Sequence, residues 1–348
     1  MLRDIRLRDF RCFAQLVFEP SASLNFIAGA NAQGKTSLLE AACVLLRLQS
    51  PRSSSLAEAV RFGRPGFGLD GHWNQSHLHV KYTDALKSFD LDSKTQVRST
   101  DYLAIARVSW ISNDDMHLVR GPGAHRRRYL DFLGAQVIPN YLRSLRAYER
   151  ALRSRNALLK ENRPWREVEA FDIPLVEAGK ALTSMRAELC EDLQQRIAEA
   201  LRLISGGSEG LQISYLAGSP PDFLAALRTS RDDEIRLRTT VTGPHRDDIA
   251  ILLGGRHAAS FASEGQQRSI VLAMKLGQAR RLEVSSASAP LFLIDDIFGE
   301  LDPARRNNLL QALPAAAQKL VTATSFDWLQ PIEDAAWFVL RDGTITKS

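Results

Sequence analysis

An eight-residue stretch near the amino end constrains this chain more than any other feature. It reads Gly29-Ala30-Asn31-Ala32-Gln33-Gly34-Lys35-Thr36 and matches the phosphate-binding pattern G-x-x-x-x-G-K-[ST] in full. The apolar segment 24–28 precedes it and predicts a buried strand, while residues 36–46 predict a helix because they contain helix formers without Gly or Pro. A strand, a glycine loop and a helix form the arrangement in which backbone N–H groups and a helix amino terminus hold a phosphate.

This pattern assigns roles to individual side chains. Lys35 is predicted to reach the β- and γ-phosphates of a nucleotide, and Thr36 to ligate Mg²⁺. A metal-holding carboxylate is predicted at Asp295, because the apolar run 290–294 reads as a buried strand that ends at the carboxyl edge of a sheet. The next residue, Asp296, is the candidate for orienting or activating an attacking water. The long separation of Lys35 from Asp295 predicts a large insertion between the two motifs.

The composition predicts a cytoplasmic protein that does not enter a membrane. Of 348 residues, 45% are hydrophobic and 24% are charged, which is ordinary for a globular protein. The first residues lack the apolar core of a secretory signal, and no apolar run approaches the ~20 residues of a membrane span. The three scattered cysteines favour a reducing compartment. The net charge of +5 permits a polyanionic partner.

Positive charge is concentrated between residues 120 and 160. This stretch has ten basic and two acidic residues, a net charge of +8 where the whole chain carries +5. It contains a predicted helix with an apolar stripe from Leu142 to Leu152 and a row of arginines beside it. We expect contact with DNA phosphates from this row and from a preceding arginine run, with a solvated helix face as the alternative. The residues are Arg143, Arg146, Arg150 and Arg153 in the row, and Arg126, Arg127 and Arg128 in the run. A second long helix is predicted over 174–204, stopped by Gly206-Gly207, and the two helices could pair as an antiparallel arm.

A second anion site is predicted before a later helix. Ser263-Glu264-Gly265-Gln266-Gln267 offers a hydroxyl, free N–H groups and a positive helix end. One chain can hardly enclose one γ-phosphate with both this site and the glycine loop. The economical arrangement is therefore a symmetric dimer in which Ser263, Gly265 and Gln266 face the partner's nucleotide. An N-capped helix without a ligand is the alternative.

Together these motifs resemble those of ABC-type ATPases, in the branch with the SMC and Rad50 proteins. The resemblance rests on the glycine loop, the segment at Ser263, Leu293-Ile294-Asp295-Asp296 and Glu300-Leu301-Asp302. Three further stretches, 113–131, 155–160 and 242–248, resemble the RecF family. The resemblance implies an α/β fold, with an ABC/Rad50-like P-loop ATPase head of mixed sheets and flanking helices plus a helical insertion lobe.

The expected domain limits follow from this architecture. Residues 1–112 form the first part of the head with the P-loop, and residues 113–240 form the helical, basic lobe. Residues 241–348 form the second part of the head, with the signature and Walker B motifs.

The resemblance also implies a function. RecF proteins dimerise on ATP, bind DNA, hydrolyse ATP slowly, and act with RecO and RecR to load recombinase at single-strand gaps and single-strand/double-strand junctions. For this chain it implies ATP and Mg²⁺ as cofactors, slow DNA-stimulated hydrolysis used as a switch, and roles in DNA repair, replication, recombination and the SOS response. Carried over, Ser263 and Gly265 contact the partner's γ-phosphate, and Asp302 lies in the loop that crosses the dimer interface. The alternative is another ABC- or SMC-type ATPase coupled to a non-DNA partner, against which the basic stretch argues.

Several residues depart from the broad ABC pattern. Asp296 stands where that pattern has Glu, the segment 320–325 lacks a histidine, and residues 108–116 lack an obvious glutamine. These departures predict low turnover. Cys12 replaces the more usual Asn, which leaves the adenine contacts open. We expect His245, a lone histidine beside a proline in a turn, to be structural and not a metal ligand.

Overall fold

The protein is described by a computed structural model that covers residues 1–53, 55–96, 99–205, 210–285, 289–329 and 332–348. The chain divides into two compact units. The head unit comprises Met1–Asp114 and Leu282–Ser348, and the insert unit comprises Asp115–Arg281. Within the described ranges, no helix is both long enough and apolar enough to cross a membrane.

The strands of the described residues, in chain order, are β1 (Leu2–Phe10), β2 (Phe13–Phe18), β3 (Leu24–Ala28), β4 (Gly66–Trp73), β5 (Ser76–Thr83), β6 (Lys87–Leu91), β7 (Lys94–Thr95), β8 (Val108–Ser112), β9 (Leu211–Leu216), β10 (Asp248–Leu253), β11 (Arg256–His257), β12 (Leu291–Asp295), β13 (Lys319–Ala323), β14 (Ala335–Arg341) and β15 (Thr344–Lys347).

The helices are α1 (Lys35–Arg47), α2 (Ser99–Ala104), α3 (His117–Arg120), α4 (Gly123–Val137), α5 (Tyr141–Lys160), α6 (Trp165–Glu169), α7 (Asp172–Ser205), α8 (Phe223–Thr229), α9 (Arg231–Leu237), α10 (Ala258–Phe261), α11 (Glu264–Val284) and α12 (Pro303–Ala312).

The head unit contains two six-stranded sheets with α1 packed against strands of both. One sheet has the order β15-β14-β3-β13-β12-β8, in which β14, β3, β13, β12 and β8 run parallel. The other has the order β2-β1-β4-β5-β6-β7 and is antiparallel. Every residue of β12, β13 and β8 is buried, which fits the apolar sequence of β12, whereas β13 and β8 each bury two polar residues as well. Residues 38–47 of α1 are all buried too, so this helix has no polar face in its sequence.

The insert unit is built on two long helices, α5 and α7, and a three-stranded sheet in the order β11-β10-β9. Tyr141 at the start of α5 meets Arg186 in the middle of α7, and Arg155 near the end of α5 meets Asp172 at the start of α7. The two helices are therefore antiparallel, as predicted. An apolar cluster that includes Tyr148, Leu175, Leu182, Phe223 and Leu227 packs between them and α8. The predicted stop at Gly206-Gly207 lies outside the described residues.

The buried face of α5 differs slightly from the predicted stripe. Tyr141, Tyr148, Ala151, Arg155 and Leu159 are buried, whereas the leucines of the predicted stripe are only half-buried. The arginines at 143, 146, 150 and 153, called the α5 arginine row below, are exposed as expected. The surprise is Arg155, which counts among the basic residues of the stretch and is completely inaccessible to solvent.

The unit limits differ from the expected domains at one boundary. The first division falls after Asp114, next to the expected limit at 112. Residues 241–281, however, belong to the insert unit and not to the head. The physical reason is strand pairing and ion pairing: β10 forms a ladder with β9 across Ile251↔Ile213, and Asp247, just before β10, accepts a hydrogen bond from Arg186 at 2.8 Å. The Ser263 segment is therefore part of the insert unit.

Candidate nucleotide site

The glycine loop joins β3 to α1 in the head unit. Other segments of the chain approach the loop so closely that the two glycines of the pattern leave no room for a side chain. Gly34 has a φ of 100°, and a Cβ there would lie 2.7 Å from both Cys12 Sγ and Phe13 Cζ. At Gly29 a Cβ would lie 2.5 Å from the carbonyl oxygen of Leu340. A side chain at either position would force the loop away from its neighbours.

Lys35 lies across this loop. It is the first residue of α1 and is only 6% exposed, and its ammonium group donates to the carbonyl oxygens of Gly29 at 2.6 Å and Ala30 at 2.9 Å. Burial lowers the pKa of Lys35, while the charges of Asp296 and Asp295 act to raise it. A buried ammonium at the floor of a glycine loop is a positive charge suited to an incoming phosphate.

Asp295 ends β12, and the single strand β13 separates it from the strand that leads into the glycine loop. Its Oδ1 accepts a hydrogen bond from Thr36 Oγ1 at 3.0 Å and another from Thr322 Oγ1 at 2.8 Å. Burial raises the pKa of Asp295, and the hydrogen bonds from Thr322 and Thr36 lower it. Hydroxyl and carboxylate oxygens are ligands that Mg²⁺ accepts, so Thr36 and Asp295 fit the metal of a bound nucleotide.

Asp296 adopts a backbone conformation that is uncommon for a residue with a side chain, with a φ of 51°. Its N–H group donates to the carbonyl and the hydroxyl oxygen of Thr322, at 3.1 and 3.2 Å. Its carbonyl oxygen accepts from Asn113 Nδ2 at 2.9 Å. Backbone conformations of this kind cluster at functional sites, so the geometry is compatible with the predicted role of Asp296, which stays a prediction.

Thr322 and Asn113 were not predicted as site residues. Thr322 stands opposite Asp295 in the pairing of β13 with β12, inside the segment noted only for its lack of a histidine. The feature of the sequence that could have identified Thr322 is a hydroxyl residue near the end of a buried strand. Asn113 directly follows β8, inside the segment that lacks a glutamine, and it supplies an amide at the same sheet edge.

The Ser263 segment begins α11 in the insert unit. The Ser263 N–H group donates to Gln266 Oε1 at 2.9 Å, and the Gln266 N–H group donates to Ser263 Oγ at 3.3 Å, which is a reciprocal capping box. Gln267 is buried and its amide donates to the Ala262 carbonyl at 2.9 Å, so it fixes the turn. Ser263 and Glu264 are exposed. This geometry agrees with the N-capped alternative, and the contact of Ser263, Gly265 and Gln266 with a partner's nucleotide stays a prediction.

Asp302 is the N-cap residue of α12 in the head unit. Its carboxylate accepts from the Arg305 N–H group at 2.9 Å and pairs with the Arg305 guanidinium. The hydrogen bond from that N–H group is the main reason why the pKa of Asp302 is lowered. The residue is exposed, which leaves its predicted place at a dimer interface open to test.

The arginine run divides into residues with different surroundings. Arg126 donates to both carboxylate oxygens of Asp248, at 2.6 and 2.9 Å, and to the carbonyl oxygens of Leu118 and Gly121. Its guanidinium therefore holds the insert unit together, and we withdraw Arg126 as a DNA contact. Arg127 donates to the Asp247 carbonyl at 2.7 Å and is half-buried, whereas Arg128 is exposed.

His245 has the structural role that its sequence context suggested. Its ring nitrogens are 2.6 Å from the Tyr148 hydroxyl and 2.9 Å from the Thr240 carbonyl oxygen. Burial lowers the pKa of His245 to about 4, so the ring is neutral near neutral pH. Across the described part of the chain, no group of three or more His, Cys, Asp or Glu side chains could hold a metal ion.

Comparisons with known proteins extend over the whole chain. The family described as "RecF/RecN/SMC N terminal domain" matches residues 1–344. A protein of Moorella thermoacetica named "DNA replication and repair protein RecF" is 35% identical over 93% of this chain and 90% of its own length. The protein of the same name from Listeria monocytogenes is 31% identical over 100% of both chains.

Solved structures give the same picture for the fold. The structure described as "recombination mediator protein RecF-ATPrS in RecFOR pathway" has a TM-score of 0.88 at 27% identity and covers 100% of this chain and 98% of its own. An SMC head bound to the C-terminal winged-helix domain of ScpA has a TM-score of 0.56 at 14% identity, covering 100% of this chain and 96% of its own. The second likeness concerns the fold alone.

Proposed function

The chain belongs to the RecF family of DNA replication and repair proteins, and from this premise we propose that it is an ATP-gated DNA-binding dimer of recombinational repair. Family membership confirms the resemblance found in the sequence and the predicted ABC-type ATPase fold. In the proposed function the chain binds gapped duplexes and single-strand/double-strand junctions. There it helps RecO and RecR to load recombinase, and slow ATP hydrolysis resets it.

The proposal rests first on the fit of the head unit to ATP and Mg²⁺. The loop brings a buried ammonium, backbone N–H groups and the start of α1 to one place, which suits a triphosphate. A bound Mg²⁺ would neutralise part of the phosphate charge. Thr36 and Asp295 are the residues that would hold it, and Thr322 orients the carboxylate.

Hydrolysis is assigned to Asp296. Its backbone is fixed by Thr322 and Asn113, so its carboxylate projects from a rigid support at the carboxyl edge of the parallel sheet. There it orients a water for attack on the γ-phosphate. An aspartate is one methylene shorter than the glutamate of the broad ABC pattern, which fits slow turnover.

The dimer is assigned to the exposed start of α11. Ser263 is exposed, and its hydroxyl and N–H groups form the reciprocal hydrogen bonds with Gln266 at the first turn of α11. In the proposed dimer they contact the γ-phosphate held by the partner, and Gly265 allows close approach of the backbone. Two equivalent composite sites follow from twofold symmetry.

The single observation that carries the proposal is the 3.0 Å hydrogen bond between Thr36 and Asp295 beside the buried ammonium of Lys35. It joins one residue from each of two motifs that are far apart in sequence, and the two side chains together could hold a metal ion. The matching experiment is sedimentation velocity with and without ATP and Mg²⁺. We expect ATP to convert monomer into dimer in the wild type, and not in Lys35→Arg or Ser263→Arg.

Ser154→Arg is the matched control, because Ser154 is exposed on α5 and the change adds the same side chain to the same unit. It should dimerise like the wild type. Asp296→Asn should dimerise on ATP but hydrolyse it more slowly. If dimerisation ignored ATP and both site substitutions, the composite site would be refuted. If the ATP-bound dimer failed to shift gapped duplex DNA, the assignment to DNA would fail in favour of a non-DNA partner.

A further inference from the structure

A fully exposed phenylalanine in the head unit has no role in the nucleotide site. Phe62 has 102% of its reference surface exposed, more than any other large hydrophobic side chain among the described residues. It stands on a tight turn in which the Arg64 N–H group donates to the Arg61 carbonyl at 3.0 Å and Gly63 has a φ of 75°. A single exposed apolar side chain is common, so the interest of Phe62 depends on its surroundings.

The turn adjoins a groove of about 440 Å³ on the antiparallel sheet of the head unit. Phe62 itself does not line this groove, but the N–H group of the preceding residue, Arg61, donates to the carbonyl oxygen of Asp9, a lining residue, at 2.9 Å. Gly68 of β4 lines the groove, and a Cβ at this position would meet no atom within 4 Å, so the sheet surface is open there. In the sheet register Arg8 of β1 lies opposite Gly68, and Gly68 lies opposite Lys81 of β5. Gly68 thus lies between two cationic residues that are two strand spacings, about 10 Å, apart.

The groove is strongly cationic. The side chains of Arg8 and Lys81 are exposed and form no hydrogen bond or ion pair with any residue in the described ranges. Asp9 lines the groove, and Arg64 and Arg61 approach its carboxylate at 3.3 and 3.8 Å. Arg61 and Arg64 therefore share the single carboxylate of Asp9, while Arg8 and Lys81 have no anionic partner in the described ranges, and this surplus of positive charge favours an anionic ligand.

A second carboxylate on this sheet does not cancel this surplus. Asp70 stands one row along the sheet and lies 2.7 Å from a ring nitrogen of His77, 3.5 Å from one of His79, and 3.6 Å from the Arg6 guanidinium. Its oxygens are directed to these neighbours. The row of Arg8, Gly68 and Lys81 remains open.

We propose that this groove and Phe62 bind a segment of single-stranded DNA. A phosphate lies over Gly68 between Arg8 and Lys81, and a neighbouring unpaired base stacks on the ring of Phe62. Positively charged grooves combined with exposed aromatic rings are the means by which proteins hold single strands without reading sequence. The inference rests on the proposed function, and it assigns the single-stranded side of a gap to the head unit.

The exposed ring of Phe62 favours single-stranded DNA over duplex DNA as the ligand of the groove. Bases in a duplex already stack on one another, so an exposed ring gains little from them. An unpaired base presents a free face. Duplex binding by phosphate contacts alone would make Phe62 dispensable.

The test measures fluorescence anisotropy of a labelled oligothymidylate and of a gapped duplex, each with the full-length protein, ATP and Mg²⁺. Phe62→Leu keeps an apolar side chain but removes the aromatic face, and it should weaken oligothymidylate binding about tenfold. Phe62→Tyr should restore binding. Replacing Arg8 and Lys81 together by Ala should reduce the slope of log K against log salt by about 1.4.

The groove itself is tested with Gly68→Glu. A Cβ at Gly68 meets no atom within 4 Å and the backbone there is extended, so the strand tolerates the change. The new carboxylate should abolish oligothymidylate binding. Gly210→Glu is the matched control, since a Cβ at Gly210 also meets nothing within 4 Å and the charge change is the same. It should bind like the wild type.

The outcomes separate this inference from the proposed function. If the wild type did not bind oligothymidylate, or if Phe62→Leu and Gly68→Glu bound it like the wild type, the inference would be wrong even with ATP-dependent dimerisation and duplex binding intact. If Gly68→Glu alone lost ATP-dependent dimerisation, that substitution would have damaged the fold. Phe62→Leu, a surface change on a turn, would then decide the matter by its ratio of single-strand to duplex affinity.

Discussion

Replacing Arg155 by Met should destabilise the insert unit strongly. The Arg155 guanidinium is inaccessible to solvent, and it lies 2.9 Å from Asp172, 2.7 Å from Glu234 and 3.0 Å from the Thr240 hydroxyl. Methionine has a similar volume, so the change removes charge and hydrogen bonds without opening a large cavity. It leaves two buried carboxylates without their cation. Breaking a buried pair in this way costs about 3–5 kcal/mol, a large share of the 5–15 kcal/mol that stabilises a typical domain.

The cost should depend on pH in a defined direction. Burial raises the pKa of Glu234, and the hydrogen bond and charge of Arg155 oppose this. Without Arg155 the pKa of Glu234 rises further. A carboxyl group with a raised pKa in the folded state stabilises the protein at low pH, and this stabilisation is lost as the pH rises through that pKa. The deficit of Arg155→Met should therefore be larger at pH 8 than at pH 5.

Hydrogen exchange measured on peptides from α5 and α7 is the appropriate assay, because it reports the insert unit separately from the head. Protection should fall by a factor of about 10² to 10³ or more at pH 8 after conversion to a common intrinsic rate. Adding Glu234→Gln to Arg155→Met should restore part of the protection. In the wild type Glu234 accepts a hydrogen bond from the Val241 N–H group at 3.2 Å, and the amide oxygen of glutamine can accept the same bond. An equal deficit at both pH values, or no rescue by the second change, would contradict the reasoning.

Three further predictions concern the nucleotide site and the basic surface. Thr322→Val should shift the pH dependence of Mg²⁺-dependent dimerisation to higher pH, because the lost hydrogen bond had lowered the pKa of Asp295; Thr322→Ser should not shift it. Gly34→Ala should lower thermal stability by about 1–3 kcal/mol and abolish binding of a fluorescent ATP analogue, whereas Gly68→Ala should leave both unchanged. Alanine at the first three positions of the α5 arginine row should reduce the slope of log K against log salt for duplex binding by about 2.7. Arg126→Ala breaks an internal ion pair instead, so this variant should not change the slope as long as it remains folded.

The geometry of the candidate nucleotide site was largely predictable because its parts are local in sequence. A glycine loop, its lysine and the helix that follows are contiguous, and their geometry is fixed by the backbone of a few residues. The position of Asp295 beside Thr36 was predictable for a related reason, since an acid at the end of an apolar strand identifies a sheet edge. Thr322 was missed because its role comes from strand register, which places it against Asp295 across β12 and β13.

The insert unit shows a different limit of sequence reasoning. Arg155 lies in a strongly basic stretch, and nothing within that stretch distinguishes it from the exposed arginines. Its partners Asp172 and Glu234 are supplied by other helices. Charge counting therefore included a residue whose charge is already compensated inside the fold. Local patterns also could not show that residues 241–281 belong to the insert unit, because this depends on the pairing of β10 with β9.

The two halves of the proposed composite site share one property that explains how ATP could act as a reversible switch. In the head unit Lys35 bonds to carbonyl oxygens of its own loop, and in the insert unit Ser263 and Gln266 bond to each other. Triphosphate binding exchanges these internal hydrogen bonds for bonds to phosphate. Each exchange between hydrogen-bonded states is worth only about 0.5–1.5 kcal/mol, so the net gain comes mainly from the charge of the buried ammonium and the metal. Loss of the γ-phosphate removes the group that Ser263 would share across the dimer, and both halves return to internal partners that are already in place. Opening would therefore leave Lys35, Ser263 and Gln266 with internal partners, and this would keep the cost of releasing the dimer after hydrolysis low.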